Sequence, residues 1–395
     1  MRTIAAHYLF DGKGKFLKNG IVKIDNDGTI IDVIDTNGIL EESEGIEFYN
    51  GIITPGFINA HCHLELSHMK GVIPEKEGLA CFIKNVIAHR GSSDDRLIPA
   101  ISEAIAEMKQ NGIVAVGDIS NREVTFAQKE KSDIYFHTFI ECYGVEEPAD
   151  KMSLNLANGL YEKWKTKIPL SVVPHASYSC SPLLLGKIRI NQEKRQGIYS
   201  IHNQESSSEN ELFLKKSGVL HDGLVKMGMN LESLEYVGLN SVQTISKYFP
   251  NDTNKLLIHN TYTSREDILF LFDGFNPDTL FWCLCPNSNI YIEESLPDIA
   301  LFASMKLQCV IGTDSYSSNT SLSILDELKT ISQHQSSITL SDMLTWSCNN
   351  GAKALSITDR YGSMEIGKRP GINLIYDLDV NNLALLPETK VRVLA

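Results

Sequence analysis

The sequence predicts an α/β protein, a (β/α)8 TIM barrel with a small β-sandwich domain formed by both chain ends. Three observations support this prediction. Short β-rich runs separated by turns fill the first fifty residues, apolar β-runs alternate with helical stretches from Ile52 onward, and the β pattern returns after Leu355. A length of 395 residues fits one barrel with a small additional domain.

The two ends of the chain are predicted to build the sandwich. Apolar, β-branched runs near the start are separated by turns rich in Gly and Asp, and they lie at 4–10, 20–24 and 29–34. A turn at 367–371 precedes two further runs, at 373–376 and 390–394. We therefore expect residues 1–54 and 357–395 to form the sandwich and residues 55–356 to form the barrel.

The barrel is predicted from eight apolar runs of strand length. These runs lie at 53–59, 115–119, 134–141, 170–174, 199–202, 255–259, 280–284 and 308–311. Segments with apolar residues at helical spacing lie between them, at 97–110, 150–164, 242–248 and 321–333. Strands that alternate with helices run parallel, so their carboxyl ends meet at one rim, where barrel enzymes build their active sites.

Composition narrows the class of partner. A net charge of −13 argues against nucleic acid, because phosphate backbones are bound by clustered Lys and Arg. The sequence has no run of eighteen apolar residues that would cross a bilayer, and its start lacks the pattern of a signal peptide. We expect a cytoplasmic protein with a small-molecule heterocyclic substrate, and a homodimer stays one option for its assembly.

The sharpest motif is Asn59-Ala-His61-Cys-His63, which follows an apolar run. Alternate residues of a strand point the same way, so His61 and His63 can present their imidazoles to one point. Two solvated loop histidines are the ordinary alternative. The other strand ends make that alternative weaker, because they also carry polar side chains.

The fifth and sixth apolar runs end in His202 and His259, and Asp314 follows the eighth run. A single histidine after a strand is usually structural. Four histidines and one aspartate at the same rim are hard to assign to packing, so together they predict a metal site.

Five motifs resemble those of a known superfamily. They are Pro55-Gly-Phe-Ile-Asn-Ala-His-Cys-His63, Pro174-His-Ala-Ser-Tyr-Ser179, Ile201-His-Asn-Gln-Glu205, Cys285-Pro-Asn-Ser-Asn289 and Gly312-Thr-Asp-Ser315. Over roughly residues 50–375 the chain resembles the amidohydrolase superfamily, and within it the branch of cytosine, guanine and adenosyl-nucleoside deaminases. The segment His63-Leu-Glu-Leu-Ser67 looks more like that of aminodeoxyfutalosine deaminases than that of guanine deaminases.

The resemblance implies a set of metal ligands, namely His61, His63, His202 and Asp314. One divalent ion is favoured over two, because the fourth strand lacks the lysine that bridges two ions in other members. Glu141 is the only nearby acid that could bridge a second ion, and its ordinary role would be a hydrogen-bond acceptor at the rim. Three imidazoles and a carboxylate suit zinc, and they would also accept iron(II) or manganese.

The resemblance also implies catalytic roles. Glu205 would protonate a ring nitrogen, Asp314 would move a proton from water to the leaving nitrogen, and His259 would orient that water. An acid in the first turn of a helix, where it is favourable to the helix dipole, is the alternative for Glu205. Four further residues are expected to contact the substrate, although His175 could instead be a buried structural histidine. They are Glu65, His175, Asn287 and Asn289.

The predicted activity is hydrolytic deamination of an N-heterocyclic amine with release of ammonia. The first substrate class is an aminopurine nucleoside, such as aminodeoxyfutalosine or a compound resembling adenosylhomocysteine. Hydrolysis of a cyclic amide, an amidine or a carbon–halogen bond would use the same metal site without an acid placed as Glu205 is. An inactive binding protein is the third alternative, and it would tolerate loss of metal ligands.

Overall fold

The computed structural model describes residues 1–40 and 45–395. Its strands are β1 (Arg2–Phe10), β2 (Phe16–Lys18), β3 (Ile21–Ile24), β4 (Ile30–Ile34), β5 (Ile46–Pro55), β6 (Phe57–Cys62), β7 (Ile113–Ile119), β8 (Tyr135–Cys142), β9 (Leu170–Pro174), β10 (Tyr199–Asn203), β11 (Lys255–His259), β12 (Leu280–Leu284), β13 (Gln308–Ile311), β14 (Ile372–Tyr376) and β15 (Lys390–Val393).

Helices lie between most of these strands. The α-helices are α1 (Gly78–His89), α2 (Asp94–Gln110), α3 (Glu123–Glu130), α4 (Ala149–Trp164), α5 (Pro182–Arg195), α6 (Ser207–Lys215), α7 (Val219–Lys226), α8 (Ser241–Ile245), α9 (Arg265–Gly274), α10 (Pro286–Glu293), α11 (Ile299–Ser304), α12 (Ile324–His334), α13 (Leu340–Thr345) and α14 (Gly351–Ala354). Short 3-10 helices at Leu64–Met69 and Ser177–Ser179 follow β6 and β9.

Eight parallel strands form two sheets of four, in the orders β6-β7-β8-β9 and β10-β11-β12-β13. The sheets adjoin each other at both edges. A parallel bridge joins Ala176, just after β9, to His202 on β10. At the other edge the backbone N–H of Thr313 donates to the carbonyl of His61 at 3.1 Å. This α/β arrangement of parallel strands and intervening helices is consistent with the predicted TIM barrel.

Four of the eight predicted barrel strands have the predicted bounds, namely β9, β11, β12 and β13. The first one does not, because the predicted run 53–59 covers the end of β5, Gly56 and the start of β6. A Cβ on Gly56 would lie 2.7 Å from the carbonyl oxygen of Pro370, so the chain passes too close for a side chain there. Because the apolar run continues through Gly56, the sequence pattern does not show where β5 ends and β6 begins.

Both chain ends contribute to one seven-stranded sheet of order β15-β14-β5-β1-β3-β4, with β2 paired to β1. Within it β5 runs parallel to β1 and antiparallel to β14. The side-chain amide of Asn373 on β14 donates to the carbonyl of Gly112, which also accepts from the N–H of Phe57 at the start of β6. These bonds attach the terminal sheet to the parallel strands.

Apolar burial explains why the central strands are continuous hydrophobic runs. All residues of β11 and β12 are buried, and the fully buried Trp282 packs against Phe302 of α11 with ring centroids 5.7 Å apart. Strands covered on both faces need apolar side chains in both directions. Over the described residues, every helix falls short of the length and apolarity that spanning a bilayer requires.

Candidate active site

Three histidines converge at the carboxyl ends of the parallel strands. His61 lies on β6, His63 directly follows it, and His202 lies on β10. Nε2 of His63 is 3.2 Å from Nε2 of His61 and 3.3 Å from Nε2 of His202. Oδ1 of Asp314 is 3.6 Å from Nε2 of both His61 and His63. The structure thus brings together the four side chains predicted as metal ligands.

The spacing of these nitrogens fits a bound cation. Two tetrahedral ligands at zinc–nitrogen distances of about 2.0–2.1 Å lie roughly 3.3–3.4 Å apart. Nδ1 of His202 donates to the carbonyl of His175 at 2.9 Å, which leaves the lone pair of the neutral ring on Nε2. Burial lowers the pKa of His61, and it brings the pKa values of His63 and His202 well below the ordinary value. Uncharged imidazoles with converging lone pairs are the donor set that a divalent metal requires.

Asp314 is held by both its backbone and its side chain. Its φ of +55° lies in the left-handed region, and its N–H donates to the carbonyl of His61 at 3.0 Å. The hydroxyls of Ser288 and Ser318 each donate to Oδ2 at 2.7 Å. Oδ1 is the oxygen left to face the histidines. A Cβ on the nearby Gly312 would lie 2.8 Å from Cβ of His61, which explains the glycine in this motif.

His259 is oriented from behind by Asn289. Nδ1 of His259 donates to Oδ1 of Asn289 at 2.8 Å, and Nε2 lies 3.6 Å from Oε1 of Glu205. The ring centroid of His259 is 5.5 Å from that of His202, so it adjoins the cluster. This ring therefore stands between the metal-ligand candidates and the predicted acid.

The carboxyl group of Glu205 is buried, with 5% of the residue exposed. Burial raises its pKa well above the ordinary value, and the carboxyl groups of Asp314, Glu209 and Glu293 add to this effect. Its backbone N–H donates to Oε2 of Glu209 at 3.1 Å. Oε1 of Glu209 in turn accepts from the hydroxyl of Ser177 at 2.8 Å. Burial thus favours the protonated form of this carboxyl group, and a second glutamate fixes its backbone.

A cavity of about 400 Å³ opens above the cluster. Its polar part includes His63, His202, His259, Asp314 and Glu205. Much of its outer wall is apolar and comes from one face of α1, which contributes Leu79, Phe82, Ile83, Val86 and Ile87. A pocket of this size and composition is typical of small-molecule sites.

Two of the four predicted substrate contacts line this cavity, Glu65 and His175. Nδ1 of His175 shares a hydrogen bond with the hydroxyl of Ser179 at 2.7 Å, and burial lowers the pKa of this ring to about 4. Both oxygens of Glu65 are already used, by Nη2 of Arg90 at 3.0 Å and the N–H of Asn121 at 2.7 Å. His175 therefore keeps Nε2 for a ligand, whereas each carboxylate oxygen of Glu65 already has one donor within the protein.

The other two predicted contacts, Asn287 and Asn289, are not among the described residues that line the cavity. The motif that carries them is the first turn of α10 rather than a loop, because Pro286 suits the first helical position. The amide of Asn287 donates to Oε1 of Glu327 at 3.0 Å, and Asn289 orients His259. Their side chains thus support the site from outside the cavity.

Sequence reasoning did not find a buried ion pair beneath the histidines. Lys129 and Asp118 are fully buried, and Nζ of Lys129 donates to Oδ2 of Asp118. Oδ1 of Asp118 accepts from the N–H of Leu64 at 2.7 Å, immediately after His63. Burial lowers the pKa of Lys129, while Asp118 opposes this effect. The sequence signal that could have revealed this pair is Asp118, a charged residue within the apolar run of β7.

The profile of the amidohydrolase family matches residues 52–390. The chain therefore belongs to the amidohydrolase family, and the predicted membership is confirmed. The predicted hydrolase acting on carbon–nitrogen bonds is confirmed by this membership together with the names of its relatives.

Two curated relatives illustrate those names. Over 336 residues the chain is 27% identical to an adenosine deaminase of Helicobacter pylori, covering 83% of this chain and 79% of the relative. Over 376 residues it is 25% identical to a 5'-deoxyadenosine deaminase of Methanosphaera stadtmanae, covering 91% of this chain and 82% of the relative.

Solved structures support the fold. An aminofutalosine deaminase of Helicobacter pylori in complex with methylthio-coformycin superposes with a TM-score of 0.81 at 23% identity, covering 95% of this chain and 92% of that chain. An adenosine deaminase of Xanthomonas campestris with bound zinc gives a TM-score of 0.73 at 19% identity, covering 98% and 87%.

Proposed function

We propose that this protein hydrolytically deaminates an aminopurine nucleoside, using one divalent metal ion, with zinc as the first choice. The observation that carries the proposal is the convergence of His61, His63, His202 and Asp314 beside a buried carboxyl group, Glu205. Family membership and the deaminase names of the relatives support the reaction type.

The metal would be held by Nε2 of the three histidines and Oδ1 of Asp314. When bound, the cation makes water reactive toward an electrophilic carbon at neutral pH. The adenosine deaminase of similar fold from Xanthomonas campestris contains bound zinc, which is consistent with this choice of metal.

The protein side chains would divide the proton transfers. Glu205, protonated through burial, donates from its carboxyl group to the ring nitrogen next to the attacked carbon. Asp314 faces the cluster with Oδ1, accepts a proton from the attacking water and delivers it to the departing amine. His259 directs Nε2 toward this region and orients the water. Water adds, ammonia leaves, and a carbonyl group replaces the amine.

The substrate class rests on the cavity and on the relatives. A cavity of about 400 Å³ has room for more than a heterocyclic base, and its α1 wall can pack against an apolar substituent. The relatives are named for deamination of adenosine and 5'-deoxyadenosine, and one similar structure is of an aminofutalosine deaminase. These facts favour an aminopurine nucleoside, with aminodeoxyfutalosine among the first compounds to try.

The finer architecture is part of the same proposal. We infer that residues 55–356 close into an eight-stranded barrel that holds the site. Residues 1–54 and 357–395 would form the accompanying β-sandwich, supported by the sheet that contains strands from both ends. Contacts of Asn373 and Gly112 would join the two parts.

Ammonia release over a panel of substrates tests the proposed function. The panel holds adenosine, 5'-deoxyadenosine, 5'-methylthioadenosine, adenosylhomocysteine, aminodeoxyfutalosine, adenine, guanine and cytosine, each with zinc, iron(II) or manganese supplied. We expect turnover of at least one aminopurine nucleoside and little with the free bases. No ammonia from any aminopurine nucleoside with any of the three metals would refute the proposal.

A further inference from the structure

Glu141, the penultimate residue of β8, presents a buried carboxyl group to the cavity. Only 8% of the residue is exposed, and Oε1 has no hydrogen-bond partner within residues 1–40 and 45–395. The nearest charged or titratable contact is Nδ1 of His202 at 3.5 Å, but that N–H already donates to the carbonyl of His175 at 2.9 Å. The backbone of Glu141 is fixed, since its N–H donates to Oδ1 of Asn121 at 2.8 Å.

A buried polar oxygen without a partner costs free energy, and native structures hold few of them. Glu65 lines the same cavity, yet both its oxygens are occupied by Arg90 and Asn121. Of these two acids, Glu65 already has a donor on each oxygen, whereas Oε1 of Glu141 has none within the described residues.

The position of Glu141 indicates which part of a ligand it would meet. Glu205 follows β10, and His259 ends β11. Glu141 lies on β8, which is on the other side of His202 in the order of the strands. The cavity extends to the end of β8, where Glu141, Tyr143 and Gly144 line it, so the substituent of a base held between the metal ligands and Glu205 has room on that side. The substituent of an aminopurine nucleoside is a sugar with hydroxyl donors.

We propose that Glu141 binds a hydroxyl group of the substrate's sugar and so selects nucleosides over free bases. This inference rests on the proposed function. A sugar hydroxyl in the cavity would donate to the carboxyl group of Glu141, which lines that cavity. A second cation is the competing occupant, because ligand atoms of Glu141, His175 and His202 lie within 4.8 Å of one another. It is disfavoured because Nδ1 of His202 donates to the carbonyl of His175 and Nε2 of His202 faces His63, so His202 has no nitrogen left for a second ion.

The test combines a change in the protein with a change in the substrate. The kcat/KM for the best nucleoside is compared with kcat/KM for its 2'-deoxy and 3'-deoxy counterparts, in the wild type, Glu141→Leu, Glu141→Gln and Glu65→Gln. In the wild type we expect loss of one hydroxyl to lower kcat/KM by about tenfold to a hundredfold. Glu141→Leu should reduce that penalty to about twofold or less, and Glu141→Gln, which keeps an acceptor, should keep part of it.

Glu65→Gln is the matched control and should keep the full penalty of the wild type. If Glu141→Leu does not fold, a weakened penalty in Glu141→Gln still supports the contact. An unchanged penalty in both Glu141 variants, or its loss in Glu65→Gln alone, overturns the inference. So does metal analysis that finds two equivalents in the wild type and one in Glu141→Gln. A wild type that releases no ammonia from any aminopurine nucleoside instead refutes the proposed function.

Discussion

Asn289 accepts a hydrogen bond from Nδ1 of His259 at 2.8 Å, and this bond fixes which nitrogen of the imidazole faces the cavity. With its proton on Nδ1, the neutral ring carries its lone pair on Nε2, 3.6 Å from Oε1 of Glu205. Burial lowers the pKa of His259 and keeps the ring neutral. Asn289 therefore determines the tautomer of a residue that we propose to orient water.

Replacing Asn289 should affect turnover more than metal binding. Asn289→Leu removes the acceptor, and we expect kcat to fall by about tenfold to a hundredfold while metal content stays near that of the wild type. Asn289→Asp keeps an acceptor and should retain more activity. Steady-state kinetics with metal analysis makes the comparison. Loss of metal in proportion to activity would show that His259 is a ligand.

The histidine cluster should bind one equivalent of a divalent transition metal. His61→Ala removes one of the three converging Nε2 atoms, so we expect it to lose both bound metal and activity. His334→Ala, at an exposed site on α12, is the control and should retain both. Elemental analysis of the purified proteins gives the readout. Full activity after rigorous removal of metal would contradict the proposal.

Glu205 should control the basic limb of the pH profile. The raised pKa means that the protonated form, which is the active one, predominates at lower pH, and kcat is lost as pH rises through that pKa. Glu205→Gln should lower the single-turnover rate by about 10²- to 10⁴-fold with little change in substrate affinity. An unchanged rate with weaker affinity would make Glu205 a binding residue.

Glu209 should act as a positioning residue for Glu205. Its carboxyl group accepts from the N–H of Glu205 and from Ser177, so it joins the segments after β10 and β9. We expect Glu209→Ala to lower kcat by more than tenfold, with KM changing less. Glu209→Gln keeps one acceptor and should restore part of kcat. If KM rose to the same extent in both variants while kcat stayed unchanged, Glu209 would be a substrate-binding residue instead.

The buried pair of Lys129 and Asp118 should be needed for stability. Lys129→Met leaves Asp118 as an unpaired buried charge, which typically costs about 3–5 kcal/mol of unfolding free energy. Lys109→Met breaks an exposed pair with Asp133 and serves as the control with little expected effect. Denaturant unfolding measures both variants. Equal stability of the two variants would mean that the buried pair contributes no more than the surface pair.

Sequence patterns predicted the parallel strands well because both faces of these strands are buried. The run 280–284 is continuously apolar, and the run 255–259 has an apolar centre between Lys255 and His259, so the bounds of both are visible. The histidines were found for the same reason, since each follows such a run. The roles of Asn287 and Asn289 could not be predicted in this way, because their contacts lie between α10 and distant segments.

Contacts between segments far apart in sequence were the hardest to foresee. Ser288 and Ser318 both donate to Oδ2 of Asp314, and serine is too common in turns for this function to stand out. The apolar wall from α1 resembles any amphipathic helix until the cavity beside it is known. Periodicity predicts which face of a helix is apolar, but it does not predict what that face contacts.

The pairing of β5 with β14 has a consequence for biosynthesis. Ile372 pairs with Pro55, the last residue before Gly56 and the strand that carries His61. During translation, the N-terminal strands emerge long before β14 exists to cover the edge of β5. We expect nascent chains that end before Ile372 to leave that edge exposed and to depend on chaperones, so that metal capture follows completion of the whole chain.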